Sequence, residues 1–239
     1  MGAGSDALSR AVAQAYHAFA VPAPPDLGVC TACCMDPAME RVMLAKQPRD
    51  LTLAEVQEWL GAAFSRDAPR HPVAWITPRI LELLAEGLEV ATGGNEVALR
   101  RLREAGFPDH WSPEQVIATG LVCMIALERH IATGAPDLDG TLCMIANSGL
   151  DIGPFLAHLD TLPGDVLADL LYTDWRGNSG LSIRRTLFWQ HVPQRQAVWN
   201  WYTGPDLEAR MWDAAAAGNM RALEVAECIA RSAKTEPKG

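Results

Sequence analysis

Strong helix formers fill this chain in stretches that glycine and proline interrupt at short intervals. Alanine and leucine number 37 and 27, against 14 valines, 9 isoleucines and 12 threonines. Alanine and leucine favour helices, whereas β-branched residues favour strands. The 16 prolines and 19 glycines stop helices before they grow long. The pattern predicts an all-α, multi-helical fold, an irregular or solenoid-like array of about eleven short helices.

Capping residues mark several helix starts. Asp36 precedes Pro37, the pattern of an N-cap followed by proline at the first helical position. Thr52 and Glu55 form a capping box ahead of another helix. Pro78 is predicted to open a further helix, because proline is tolerated in a first turn.

One four-residue sequence occurs twice in the chain. The residues Cys-Met-Ile-Ala at 123–126 recur at 143–146. Either two helices pack these faces as a weak helical repeat, or the recurrence is chance in an alanine-rich chain. We expect a single helical domain over residues 1–239, within which residues 1–68 are a candidate N-terminal subdomain that carries a cysteine loop.

The segment 113–133 is apolar almost all round. A helix with this pattern is typical of the centre of a fold. Its uncharged run, Gln115 to Leu127, is 13 residues long. A membrane span needs about 20 residues, so we expect no membrane partner.

The charge balance argues against nucleic acid as a partner. The formal net charge is −9 and the isoelectric point is about 5.1. An acidic surface repels phosphate backbones and anionic membranes alike. The densest basic stretch, Arg100, Arg101 and Arg103, has Glu104 beside it, which is typical of a solvated helix face.

The expected compartment is the cytoplasm. The N-terminal region does not have the pattern of a secretory signal. Six cysteines in 239 residues are too few for a disulfide scaffold, so we expect reduced thiols.

A cysteine loop is the strongest local signal. Cys30, Cys33 and Cys34 lie just before the predicted helix start at Asp36. A Cys-x-x-Cys turn lets two thiolates reach one tetrahedral zinc ion at about 2.3 Å. A third cysteine can join them, and His17, His71 or a distant cysteine is needed to complete the site. His17 is the expected added ligand, because the proline-rich segment can fold it over the loop. The sequence therefore predicts zinc as a candidate cofactor.

Two other interpretations of the cysteine loop stay open. Unsatisfied N–H groups near a helix start lower the pKa of a thiol, so the loop also suits a thiol redox role. The cysteines are alternatively small apolar residues that only pack a loop. Alkylation of the thiols near neutral pH separates an exposed reactive thiolate from packed or metal-bound sulfur.

Residues 15–90 resemble a family of uncharacterised bacterial helical proteins. The resemblance rests on Tyr16, Phe19, Pro22, Cys30-x-x-Cys33, Pro48-Arg49 and Pro78-Arg79-Ile80-Leu81-Glu82-Leu83. It implies a cysteine loop, a Pro-Arg-Ile-x-Glu-Leu helix start and a polar network of Arg49, Arg79 and Glu82. Arg79 and Glu82 stand three residues apart, so they can pair on one helix, either within this network or as a solvated ion pair. Alternatively, Arg79 reaches Asp50 or the cysteine loop.

Aromatic residues concentrate in the C-terminal third. Trp189, Trp199, Trp201 and Trp212 form either part of the core or a protein-interaction surface, since aromatics are enriched in both. The sequence contains no zinc-protease motif, nucleophile elbow or phosphate-binding loop. We therefore expect a non-enzymatic helical adaptor that binds another protein. The alternative is a thiol-based redox protein or small enzyme that uses the cysteine loop.

Overall fold

The fold is all-α in a computed structural model that describes residues 3–65, 67–176 and 187–232. These ranges contain twelve α-helices and three 3-10 helices. No strand occurs within them, and extended pairing is limited to an isolated bridge between Val29 and Phe64. The predicted all-α, multi-helical array is thus confirmed.

The α-helices are short, as the spacing of helix breakers predicts. The first six are α1 (Ala3–Ala18), α2 (Pro37–Leu44), α3 (Leu53–Gly61), α4 (Arg70–Ala85), α5 (Arg100–Glu104) and α6 (Pro113–Thr133). The others are α7 (Leu138–Ser148), α8 (Gly153–Asp160), α9 (Gly164–Trp175), α10 (Arg195–Tyr202), α11 (Pro205–Ala216) and α12 (Met220–Ser232). The 3-10 helices span Pro48–Asp50, Asn95–Val97 and Leu187–His191.

The predicted caps form as expected. The Asp36 side chain accepts a hydrogen bond from the backbone N–H of Ala38, with Pro37 opening α2. The Thr52 side chain and the Glu55 carboxylate each accept from the other's backbone N–H at the start of α3. Both caps depend on residues within one helical turn, so the local sequence is sufficient to specify them.

Helix α4 corrects a predicted helix start. It begins at Arg70 rather than at Pro78, so the Pro-Arg-Ile-x-Glu-Leu segment lies inside a helix. Proline inside a helix costs about 3 kcal/mol, because it lacks a donor and crowds the preceding turn. Twelve of the sixteen residues of α4 are buried, and apolar burial outweighs that cost. The Thr77 hydroxyl also donates to the Val73 carbonyl at 2.6 Å.

Helix α6 corrects a second expectation. Its buried residues, Ala118, Thr119, Val122, Cys123 and Leu127, lie on one face. On the opposite face Ile117 is 55% exposed and Leu121 is 42% exposed. The helix is therefore buried on one face only, and not on all sides. By length and composition alone, α6 also qualifies as one candidate membrane span among the described residues.

The chain divides into two compact units. The first comprises Met1–Arg129 and Asn147–Leu150, and the second comprises His130–Ala146 and Asp151–Gly239. In the first, α4 packs against α1, α3 and α5. The prediction of a single domain, with a candidate subdomain over residues 1–68, stays a prediction.

The second unit has its own aromatic core. Helix α9 packs against α11 and α12, and α11 packs against α12. Trp175 and Tyr202 are buried and meet edge to face, with ring centroids 6.4 Å apart. Predictions of a loop over residues 174–180 and a helix over residues 181–191 fall mostly outside the described residues. The described residues of these segments lie in α9, at its C-cap Arg176 and in the 3-10 helix Leu187–His191.

Candidate metal centre

Backbone hydrogen bonds hold the cysteine loop between α1 and α2. The Cys30 N–H donates to the Ala63 carbonyl at 2.7 Å, and the Ser65 N–H donates to the Gly28 carbonyl at 3.0 Å. Gly28 has φ +71°, and a Cβ there would overlap the ring of Pro69. Only glycine fits such a position without strain. The loop is thus fixed against the segment that follows α3.

The three sulfurs of the loop form a tight group. The Cys30 and Cys33 Sγ atoms are 3.5 Å apart, as are the Cys33 and Cys34 Sγ atoms. All three sulfurs lie within 4.8 Å of one another. Sulfurs bound to one tetrahedral zinc at about 2.3 Å stand roughly 3.8 Å apart. The observed spacing therefore suits a shared metal ion.

The environments of the loop thiols differ. Backbone N–H groups of Ala32 and Cys33, with the Cys33 side chain, stabilise the Cys30 thiolate and lower its pKa. Hydrogen bonds from the Cys33 thiol to the sulfurs of Cys34 and Cys30 raise the Cys33 pKa to about 11. Cys33 is exposed, while Cys30 and Cys34 are half-buried. The group is accessible to an ion from solvent.

His17 does not join the sulfur group. It lies exposed in the last turn of α1, and the metal-capable group among the described residues consists of the three cysteines. The proline-rich segment after α1 bonds elsewhere, since the His71 Nε2 atom lies 2.9 Å from the Pro22 carbonyl. The segment is thus joined to α4 at Pro22.

Arg101 binds the segment that leads into the pairing partner of the cysteine loop, at the carbonyls of Leu60 and Ala62. The sequence did not indicate this role. It is 6% exposed, and its guanidinium carbon lies 4.1 Å and 4.2 Å from the ring centroids of Trp59 and Phe64. It donates to the carbonyls of Ala62 and Leu60, the latter at 3.3 Å. Burial lowers the Arg101 pKa to about 10. The expectation of a solvated face at this residue is wrong, because its neighbours in space are aromatic.

The predicted network of Arg49, Arg79 and Glu82 lies in the same unit and includes Tyr16. Arg79 and the Tyr16 hydroxyl both donate to the Glu82 Oε2 atom at 2.6 Å. Arg79 also donates to the Leu51 carbonyl at 2.8 Å, and Arg49 stacks 4.4 Å from the Tyr16 ring centroid. Burial, followed by the bond to Glu82, raises the Tyr16 pKa. The network joins α1, α4 and the 3-10 helix Pro48–Asp50.

Changing Glu82 to glutamine is expected to lower the free energy of unfolding by about 1–2 kcal/mol. The neutral amide loses the ion pair with Arg79 and the charged acceptor of the Tyr16 hydroxyl. Urea unfolding measures the change. The matched control is Glu89→Gln, at an exposed residue just after α4, which should stay within about 0.5 kcal/mol. Equal losses in the two variants would contradict a stabilising network.

The four tryptophans of the C-terminal third do not all lie on one exposed surface. Trp189 is 2% exposed and donates to the Asp139 carboxylate at 2.9 Å, so it belongs to the core of the second unit. Trp199 and Trp201 are half-buried, whereas Trp212 is 41% exposed. The Asp139 carboxylate gives the buried indole N–H of Trp189 its hydrogen-bond partner.

The second unit also contains a buried carboxylate, Asp174, that no sequence pattern indicated. Asp174 accepts hydrogen bonds from the Tyr202 hydroxyl at 2.8 Å and from the Asp139 N–H, at the start of α7, at 3.1 Å. Burial is the largest cause that raises its pKa, which reaches about 8. No local motif marks this residue, because its partners come from α7 and α10.

Comparisons with family models, curated proteins and solved structures give no match to this chain. The resemblance of residues 15–90 to a family of bacterial helical proteins therefore stays a prediction. The cysteine pair lies close together in the structure, and Tyr16, Arg49, Arg79 and Glu82 form a contact group.

Proposed function

We propose that this protein binds zinc through Cys30, Cys33 and Cys34, and that the ion has a structural role. The spacing of the three sulfurs is the observation that supports the proposal. Thiolates are ligands that zinc prefers, and structural sites are built mainly from them. The ion would tie the loop to the start of α2, where Asp36 caps the helix.

The proposed site is tested by metal content and by cobalt titration. Purified protein is expected to hold about one zinc per chain, and Co²⁺ should give the charge-transfer absorption of thiolate ligands. The variant Cys30→Ser/Cys33→Ser should lose both signals. Cys228→Ala, which removes a buried cysteine of α12, is the control and should keep them.

Two results would contradict the zinc proposal. One is zinc content near zero together with wild-type melting of the double serine variant, which would assign the cysteines to packing. The other is rapid alkylation of Cys30 near neutral pH that added zinc does not slow. That result would favour the thiol redox alternative, which the lowered Cys30 pKa supports.

We propose protein interaction, without catalysis, as the wider role of the chain. The specific support is the apolar side of α6, where Ile117 and Leu121 are exposed. Exposed apolar residues that follow one helix face are typical of protein interfaces. The tested change is Leu121→Ser, which should abolish partner binding in pull-downs from the native host and leave helix content unchanged.

A further inference from the structure

The exposed side of α6 forms a continuous stripe. At about 100° per residue, positions that differ by three, four, seven or eleven share a face. The α6 stripe consists of Pro113, Glu114, Ile117, Leu121, Met124 and Glu128. Ile117 and Leu121 are its most exposed apolar members, and Met124 is half-buried.

The stripe has room for a second helix. Its apolar members follow the i, i+4, i+7 spacing by which one helix face recognises another. Gly120 lies at the edge of the stripe, and a Cβ at that position would meet nothing within 4 Å. A glycine with open space beside it lets a partner's backbone approach closely.

The charges at the ends of the stripe argue against a second copy of this chain. Glu114 and Glu128 are exposed and are its only charged members, one near each end. Two copies packed antiparallel would place Glu114 opposite Glu128, and parallel copies would place each glutamate opposite itself. Both arrangements bring like charges together, which is unfavourable. A complementary partner carries basic residues at both ends.

We propose that the α6 stripe binds an amphipathic helix of another protein, with apolar residues at i, i+4 and i+7 and lysine or arginine at each end. This inference rests on the interaction role proposed above and names the chemistry of the partner. An anionic membrane surface fits less well, because both glutamates would face lipid phosphates.

Two synthetic peptides test the proposal against the full-length chain. Each has roughly 16 residues, the length of the stripe, with leucines at the stated spacing. One has lysines at both ends and the other has glutamates. Fluorescence anisotropy is expected to show the basic peptide binding about fivefold or more tightly at low salt. Leu121→Ser should abolish binding, and Glu114→Gln/Glu128→Gln should remove the preference.

Several outcomes would overturn the proposal. Equal affinity for both peptides, or binding of neither, contradicts the assigned partner chemistry. Binding to phosphatidylglycerol vesicles that Leu121→Ser abolishes assigns the stripe to a membrane. Dimerisation that Leu121→Ser abolishes assigns it to a second copy. Circular dichroism controls for the fold of each variant.

An apolar photo-crosslinking analogue of leucine in place of Leu121, used in the native host, distinguishes the interaction role from the partner chemistry. Crosslinks to amphipathic segments with basic ends support the proposed partner. Crosslinks to protein segments without basic ends keep the interaction role and overturn the partner chemistry. The absence of any protein crosslink overturns the interaction role itself.

Discussion

Replacing Arg101 with alanine is expected to lower the free energy of unfolding by about 3–5 kcal/mol. The change leaves a void between Trp59 and Phe64, both of which contact the guanidinium. It also removes the donor to the carbonyls of Leu60 and Ala62. These carbonyls precede the segment that pairs with the cysteine loop, so the affinity of the proposed zinc site should fall in the same variant.

Chemical denaturation and cobalt titration measure the two effects. Arg101→Met separates them, because methionine keeps contact with the rings but donates no hydrogen bond. It should recover part of the stability and less of the metal affinity. Arg100→Ala is the control, since Arg100 is half-exposed and pairs with Glu104 on the surface. If Arg101→Ala cost no more than Arg100→Ala, the supporting role would be wrong.

The stability of wild type is expected to fall between pH 5 and pH 8 more steeply than that of Asp174→Asn. The Asp174 pKa is about 8 in the folded chain, against an ordinary value of 3.8. Between pH 5 and pH 8 the Asp174 carboxyl keeps its proton in the folded state and has lost it in the unfolded state. The free energy of unfolding therefore falls with each pH unit. Proton linkage gives a total fall of about 3–4 kcal/mol between pH 5 and pH 8. Below pH 3.8 the contribution is fully present.

Urea unfolding at a series of pH values measures this difference. Asp169→Asn is a matched control on the same helix, because Asp169 is exposed and pairs with Arg221 at the surface. Its slope against pH should equal that of wild type. Parallel slopes for Asp174→Asn and wild type would mean that the buried carboxylate is ionised when folded, so that its bonds from Tyr202 and Asp139 outweigh burial.

Features that depend on one helical turn were predictable from the sequence. Thr52 and Glu55 cap α3, and Asp36 caps α2, because each bond joins residues at most three apart. The proximity of Cys30 and Cys33 follows from the same short reach. The all-α fold follows from the excess of alanine and leucine over β-branched residues.

Features set by tertiary contacts were not predictable in this way. Arg100 and Arg101 are chemically identical neighbours, yet one is half-exposed and the other is buried against two rings. The start of α4 at Arg70 depends on burial that outweighs Pro78. His17 lies exposed in the last turn of α1, outside the sulfur group. None of these contacts has a signal within a few residues.

The pairing of Gly28 and Cys30 with Ala63 and Ser65 has a kinetic consequence. Two backbone hydrogen bonds, from the Cys30 and Ser65 amides, fasten the cysteine loop to its neighbouring segment. A contact held by only two backbone hydrogen bonds can open while the helices stay folded. Deuterium uptake at these two amides would report that local opening directly. If zinc binds here, it should slow their uptake without changing that of buried α4 amides.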